Sequence, residues 1–352
     1  MTGWDRDYLE YERDYLDLFH STMQKEQERN IEFLEKSLKE LLGRKFAVAC
    51  SSGTDALMFA LISLNLKPDD EVLVTNFSWI SSASCVSLAG ATPVFCDVDL
   101  DTYHMYWESV EAMISDKTKA IVYPHLFGSM SDTTILRDIC KDRGIVFIED
   151  AAQALGSSLY GEKAGAIGDI STLSFNANKQ VAGIAGGGAV LTDDKEKAVL
   201  FRKLRKHGEH EVLGYNSKML GMNAEFINFR LGKMSEYDAK RLAIAKKYDE
   251  ALATCEVVLQ KPAKYEQHTY HKYVVRFKNK EIRDAVKEKI PGSGIHYPKP
   301  ICEHPMYQNI THRKDFYNNT KKICDTILTL PMHPYLTDEE INSVTNTIMI
   351  LA

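Results

Sequence analysis

One lysine in this sequence stands apart from every other charge around it. Lys179 lies in ISTLSFNANKQVAGIAGGGAVLT, residues 170–192, and is the only charged residue of that stretch. Most lysines are solvated surface charges. A lone lysine after an apolar strand and before a glycine run fits that description poorly. Desolvation at such a place lowers the ammonium pKa and frees the neutral amine to attack a carbonyl. Gly183, Gly186, Gly187 and Gly188 give the backbone freedom to pack closely around it. A second pair with chemical potential is Glu149-Asp150, the only charges between Gly144 and Gly161. A carboxylate at the end of a buried strand needs a partner. Capping a helix over AAQAL, residues 151–155, would satisfy it without any ligand. In SSGTDAL, residues 51–57, small residues after a strand open a helix. The start of that helix offers free N–H groups and a favourable dipole to a phosphate. An ordinary strand-to-helix turn, with Asp55 near the helix start, is the alternative. Trp79, in TNFSWISSAS, reads by itself as a core aromatic.

A phosphate cradle, a buried carboxylate and a desolvated lysine together suggest one cofactor. Pyridoxal phosphate (PLP) needs a Schiff-base lysine, an acid for its pyridinium nitrogen and donors for its phosphate. The acid keeps the ring nitrogen protonated and the ring an electron sink. The lysine, once released by substrate, moves protons between carbon centres.

The elements around these residues read as alternating strands and helices. FAVAC (46–50), EVLV (71–74), TPVFCD (92–97), KAIVY (119–123) and IVFIED (145–150) are short apolar runs bounded by polar or turn residues. Helical stretches such as TTILRDICKDRG (133–144) separate most of them, which argues for a mostly parallel sheet covered on both faces. Ligands of such sheets sit outside the carboxyl ends of the strands, where Asp150, Lys179 and the SSGTDAL turn fall. Residues 4–42 read as helical, with Ile31, Leu34, Leu38 and Leu41 at helical spacing and Gly43 as the stop. Residues 224–255 read as one long helix, and HKYVVRFKNKEIRDAVKEK as a strand then a helix. The texture changes near residue 245, giving a large unit of residues 1–245 and a smaller one of 246–352.

The chain has 352 residues, more than one hydrophobic core usually serves, so two domains are the expectation. With 44% hydrophobic and 26% charged residues and a net charge of −6, it reads as an ordinary soluble enzyme. No basic stripe suggests nucleic acid. The longest uncharged run, Val72 to Cys96, is broken by Ser, Thr, Asn, Gly and Pro and does not read as a membrane span. The charged start MTGWDRDYLEYERD carries no signal-peptide core. Seven unpatterned cysteines, without CxxC or zinc spacing, suggest reduced thiols and the cytoplasm.

SSGTDAL, DDEVLV, GATPVFCDVD, HLFG, VFIEDAAQALGS, GDISTLSFNANK, GGGAVLTDD, GIHYPKPI and LPMHPYLT follow one another in an order that resembles the sugar aminotransferases of the DegT/StrS group. The resemblance spans residues 30–345, and its most specific parts are EDAAQ and SFxxxK. It implies the aspartate-aminotransferase (fold type I) architecture: an α/β large domain with a mostly parallel, seven-stranded-type sheet, and a smaller α+β C-terminal domain. By position it implies that Lys179 forms the Schiff base, Asp150 pairs with the pyridinium and Gln153 lies near the cofactor's 3′ oxygen. Trp79 would stack on the ring, and Gly53, Thr54 and Ser174 would hold the phosphate. Asn223 would reach the phosphate of a partner subunit in a homodimer with shared active sites. His296 and Tyr297 lie where the group contacts substrate.

Two departures concern the substrate. The group opens with a Gly-Trp…Gly-Pro turn, where this chain has FHSTMQKEQERNIEFLE, and GMNAE puts Glu225 where an arginine is common. The expected reaction moves an amino group from L-glutamate to a keto sugar, nucleotide-linked. The altered opening motivates a smaller, phosphorylated ketone as the alternative. Relatives that act as dehydratases replace the lysine with histidine, whereas Lys179 is present here; a non-catalytic, PLP-binding regulator is the remaining alternative.

Overall fold

The computed structural model describes residues 3–24, 27–309, 312–314 and 316–352. Five strands come first: β1 (Phe46–Cys50), β2 (Glu71–Thr75), β3 (Thr92–Cys96), β4 (Thr118–Pro124) and β5 (Val146–Asp150). A hairpin of two-residue strands, β6 (Ser158–Leu159) and β7 (Glu162–Lys163), separates them from β8 (Ile170–Ser174) and β9 (Gly188–Thr192). The later strands are short: β10 (Val258–Leu259), β11 (Glu266–Gln267), β12 (Tyr273–Arg276), β13 (Arg313–Lys314) and β14 (Ile327–Leu330). The main sheet has the order β1-β9-β8-β5-β4-β2-β3-β13. It holds seven full strands and the two-residue edge β13. From β8 to β13 the strands run parallel, and only β9 opposes its neighbours.

The apolar runs become central strands because helices cover both faces. In β2, Val72 and Val74 enter one core cluster while Leu73 enters the other, and all three are fully buried. This is the period-two division of a strand buried on both sides, and it explains why the run is continuously apolar.

Two stretches fold otherwise than their sequence suggests. Residues 224–255 are not one helix: Gly221–Gly232 and Met234–Leu252 are separate, with Lys233 capping both at φ −98° and ψ −2°. A glycine in the last turn before a polar residue is a natural place for that break. AAQAL is not helical either. Residues 151–157 turn twice, Ala154 N–H donating to Ala151 O (3.0 Å) and Ser157 N–H to Ala154 O (2.8 Å).

The N-terminal helical stretch comprises α1 (Gly3–Gln24), kinked at Tyr11, and α2 (Gln27–Leu42); positions 25 and 26 lie outside the described residues. Ile31, Leu34 and Leu38 of α2 are buried as their spacing implies. α1 lays Tyr11 and Tyr15 against Phe226 and Tyr237.

Beyond the main sheet, β10, β12 and β14 form a second, antiparallel sheet. Its core includes Val275, Leu328, Val286 and Val344, and also Ile244, Ala245 and Tyr248 of helix Met234–Leu252. That helix runs through position 245 unbroken. Among the described residues no helix is long and apolar enough to cross a membrane, and no cluster of three or more His, Cys, Asp or Glu could hold a metal ion.

Candidate active site

The carboxyl ends of β1, β5 and β8 deliver Ser51-Ser52, Asp150 and Ser174 to one edge of the sheet. There they border a cavity of about 480 Å³. Gly53, Thr54, Trp79, Asp150, Gln153, Ser174, Lys179, His296 and Tyr297 all line it. Asn223 does not. It is buried against its own chain, where its Oδ1 accepts from Ala185 N–H (3.1 Å) and its Nδ2 donates to Gly186 O (2.8 Å). In this chain it fixes the glycine loop that carries the cavity wall.

The cradle at the end of β1 is built by close approach. Ser52 caps α3 (Gly53–Ile62), its Oγ accepting from Asp55 N–H at 3.0 Å. The Gly53 and Thr54 N–H groups, in the first turn, have no intrahelical acceptor and are left for a ligand. Asp55 does not occupy that place: hydroxyls of Ser51 and Ser217 each donate to its Oδ2 at 2.7 Å. A Cβ on Gly53 would stand 2.7 Å from Ser174 Cβ, and one on Gly188 only 2.2 Å from Ser52 O. Side chains at either position would fill the cradle or push it apart. Free N–H donors, a hydroxyl at Ser174 and space kept by glycine are a donor set that fits a phosphate.

Strand geometry divides the two carboxylates. Glu149 and Asp150 are consecutive in β5, so they face opposite sides of the sheet. Glu149 is fully buried, away from the cavity. It accepts from the N–H groups of Gly165 (2.6 Å), Ile167 (3.0 Å) and Gly168 (3.0 Å) and from Ser171 Oγ (2.8 Å), and lies 3.1 Å from His125 Nε2. Burial pushes its carboxyl up, yet His125 and the N–H donors outweigh that and hold it below the ordinary carboxylate range. Asp150 points into the cavity. Its Oδ1 accepts from Ala152 N–H at 3.1 Å, a local turn bond rather than a helix cap. Burial raises its pKa, against the Ala152 bond and the charge of Lys179.

Lys179 faces Asp150 across the cavity. Burial lowers its pKa to about 8, opposed only by the Asp150 charge. The rest of the wall is braced. Phe127 N–H donates to Gln153 Oε1 (3.2 Å), and Gln153 Nε2 donates to Tyr297 Oη (2.8 Å). Trp79 is 60% exposed, its ring 6.4 Å from that of Tyr297, so it forms part of a wall rather than of the core. His296 Nδ1 lies 2.9 Å from Thr329 Oγ1. Burial, with Lys272 and Lys179 nearby, lowers the His296 pKa to about 4 and keeps the ring neutral.

Three ionisable cavity residues escaped the sequence reading: His125, His271 and Lys272. His125 directly follows β4 and opens the HLFG motif. His271 and Lys272 immediately precede the apolar run of β12. Charged or titratable residues placed directly at the end of a buried strand were the available signal.

The sequence profile of the DegT/DnrJ/EryC1/StrS aminotransferase family matches residues 11–349. The UDP-N-acetyl-3-dehydro-alpha-D-glucosamine 3-aminotransferase of Acidithiobacillus ferrooxidans is 36% identical over 327 residues, covering 90% of this chain and 86% of its own. A pleiotropic regulatory protein of Geobacillus stearothermophilus is 33% identical over 316 residues, 87% of this chain and 85% of its own. The crystal structure of a DegT/DnrJ/EryC1/StrS aminotransferase from Brucella abortus superposes with a TM-score of 0.92 at 28% identity, over 99% of this chain and 97% of that one. With a fold of that type and a lysine and an aspartate meeting at the carboxyl edge of its sheet, this chain belongs to the DegT/DnrJ/EryC1/StrS aminotransferase family.

Proposed function

We propose that the protein transfers an amino group from L-glutamate to a nucleotide-linked keto sugar, using PLP held in the cavity between Lys179 and Asp150. The observation that carries this is one shared cavity: an amine with its pKa lowered to about 8, a carboxylate across from it, and the free N–H groups of a helix start at its rim. PLP, when bound, supplies a ring that accepts the electron pair of a substrate C–H bond. The chain's own residues do the rest. Lys179, neutral in a useful fraction near pH 8, would attach the cofactor covalently and, once released, would carry a proton between the substrate carbon that bears the nitrogen and the cofactor's carbonyl carbon. Asp150 keeps a proton on the ring nitrogen. Gly53, Thr54 and Ser174 bind the phosphate, and Trp79 covers a face of the ring. Gln153, fixed between Phe127 and Tyr297, addresses the 3′ oxygen. His296 and Tyr297 meet the acceptor.

In the same reading the protein works in the cytoplasm as a homodimer, Asn223 serving the partner's phosphate from its place beside the glycine loop. Residues 1–245 hold the cofactor and 246–352 form a smaller domain. The name of the Acidithiobacillus relative, an aminotransferase of a UDP-linked keto sugar, supports the acceptor class.

Adding L-glutamate to the PLP-loaded protein will shift the cofactor spectrum to that of the aminated form, and borohydride will fix the cofactor on Lys179. No shift with L-glutamate sinks the aminotransferase reading and leaves a PLP-binding regulator. A borohydride-fixed adduct surviving in Lys179→Ala removes that lysine from the role. A smaller, phosphorylated ketone is the second reading, favoured by α1, which places Trp4 in the wall of a chamber beside Lys179. Steady-state kinetics with nucleotide-linked keto sugars beside small keto phosphates separates the two.

A further inference from the structure

Lys272 is a cation that the site leaves without a counter-charge. It lines the main cavity with Lys179, and it also lines a smaller side chamber of about 370 Å³. The charges that act on it, Lys179 and Arg241, are both positive. Among the described residues no carboxylate pairs with its Nζ. The neighbouring cations of the chamber each have partners for part of their guanidinium. Arg230 Nη2 lies 3.3 Å from Asp7, and Arg241 Nη1 donates to the carbonyls of Tyr270 (3.3 Å), His271 (3.4 Å) and Met332 (3.4 Å). His271, beside Lys272, is only 4% exposed, and neither of its ring nitrogens has a partner.

A half-buried, unpaired cation next to a buried, unpaired imidazole is costly unless an anion arrives. In the reading above the Gly53, Thr54 and Ser174 cradle takes the phosphate of PLP, so the anion for Lys272 must come from the substrate, and the chemistry selects which substrate. An amino-acid donor carries its α-carboxylate on the same carbon as its amino group. Wherever that nitrogen reaches Lys179, the carboxylate arrives one bond away. A neutral keto sugar brings no anion to its reacting carbon, and the phosphates of a carrier nucleotide lie at the far end of the sugar.

We infer that Lys272, with His271 beside it, is the anchor for the α-carboxylate of the amino-acid donor. This rests on the aminotransferase reading above and names how its donor is held. Anchoring places the donor's C–H bond over the cavity that Lys179 serves, and a ligand of the same size without a carboxylate would lack the contact.

The test uses the PLP-loaded protein in wild-type form and as Lys272→Met, Lys272→Gln and Lys272→Arg. Three readouts are needed: cofactor loading by absorbance, the Kd of glutarate (a dicarboxylate without an amino group) by calorimetry, and KM for L-glutamate against KM for the acceptor. Loading is expected to be equal throughout. In Lys272→Met and Lys272→Gln, glutarate binding should weaken and the L-glutamate KM should rise, each roughly 10- to 100-fold, as for loss of a charged hydrogen bond. The acceptor KM should stay within a factor of about two, a change too small to register a lost contact. Lys272→Arg should recover much of the donor affinity. Unchanged glutarate affinity and L-glutamate KM in a normally loaded Lys272→Met protein overturn the anchor and leave the function standing. Wild-type protein that takes up no PLP overturns the function and, with it, this inference.

Discussion

Lys179 carries its charge at a cost to the fold. Its pKa is lowered to about 8 by burial, against an ordinary value of 10.5 in the unfolded chain. Below about pH 8 both states hold the proton and the folded state bears the full penalty. Between pH 8 and 10.5 the folded protein releases the proton first, so stability rises with pH and the penalty fades. Replacing the lysine with an apolar side chain of similar length removes it. Cofactor-free Lys179→Met should therefore be more stable than cofactor-free wild type at pH 7, by about 1–3 kcal/mol. The gain should shrink toward zero as the pH approaches 10.5. Denaturant unfolding at pH 7 and pH 10 measures both, and a variant less stable at pH 7 contradicts the burial penalty. The lysine was legible in the sequence for the same physical reason, since an apolar surround with one charge is what desolvation looks like in one dimension. Glu149 and Asp150 were legible as a pair but not as a division of labour. That division follows from strand alternation, which sends Glu149 away from the cavity, to five partners, and Asp150 into it. Lys272 was not legible, because only the packed structure reveals that among the described residues no carboxylate pairs with it.

At the scale of elements, the strands were the readable part. Runs such as VLV in β2 are buried on both faces, so their composition is set by the core alone. Turns and breaks were less readable because short-range bonds decide them. The Asp150–Ala152 bond turns the chain where a helix was one option, and the break at Lys233 interrupts a continuous helical pattern. The glycines sort by what surrounds them. At Gly188 a Cβ would meet the Ser52 backbone carbonyl at 2.2 Å, and backbone cannot swing aside. At Gly232 nothing lies within 4 Å and φ is not positive. Gly188→Ala should destabilise the protein by about 1–3 kcal/mol or more, because β9 must move off the start of α3. It should also weaken PLP uptake, since that movement displaces the Gly53 and Thr54 N–H groups. Gly232→Ala should be neutral or stabilising by up to about 1 kcal/mol. Thermal unfolding and PLP titration of the two variants check the contrast, and equal effects would remove the argument from close approach.

At the scale of the molecule, α1 holds together parts that are distant in sequence. Trp4 Nε1 donates to Ala177 O at 2.6 Å, two residues before Lys179, and its ring lies 4.2 Å from the Arg230 guanidinium. Arg6 pairs with Glu340 of the C-terminal helix Asp338–Leu351. Asp7 is the centre of this attachment. It is 1% exposed, accepts from the hydroxyls of Tyr15 (2.5 Å), Tyr237 (2.9 Å) and Tyr335 (2.8 Å), and faces Arg230 at 3.3 Å. The departure of the N-terminal stretch from its relatives was legible but its role was not, because three of the four partners of Asp7 (Tyr237, Tyr335 and Arg230) lie more than 200 residues along the chain. Removing one partner of a buried ion pair strands the other charge. Asp7→Ala should thus cost about 3–5 kcal/mol and expose α1 to protease. Arg230 Nε and Nη1 already lack partners, so the stranded guanidinium is the main penalty. Arg230→Met should cost a comparable amount, and the double variant Asp7→Ala/Arg230→Met much less than the sum, because it leaves no unpaired charge behind. Thermal unfolding of the three variants measures the coupling. Simple additivity would mean that the tyrosine hydroxyls, rather than the pair with Arg230, hold α1 in place.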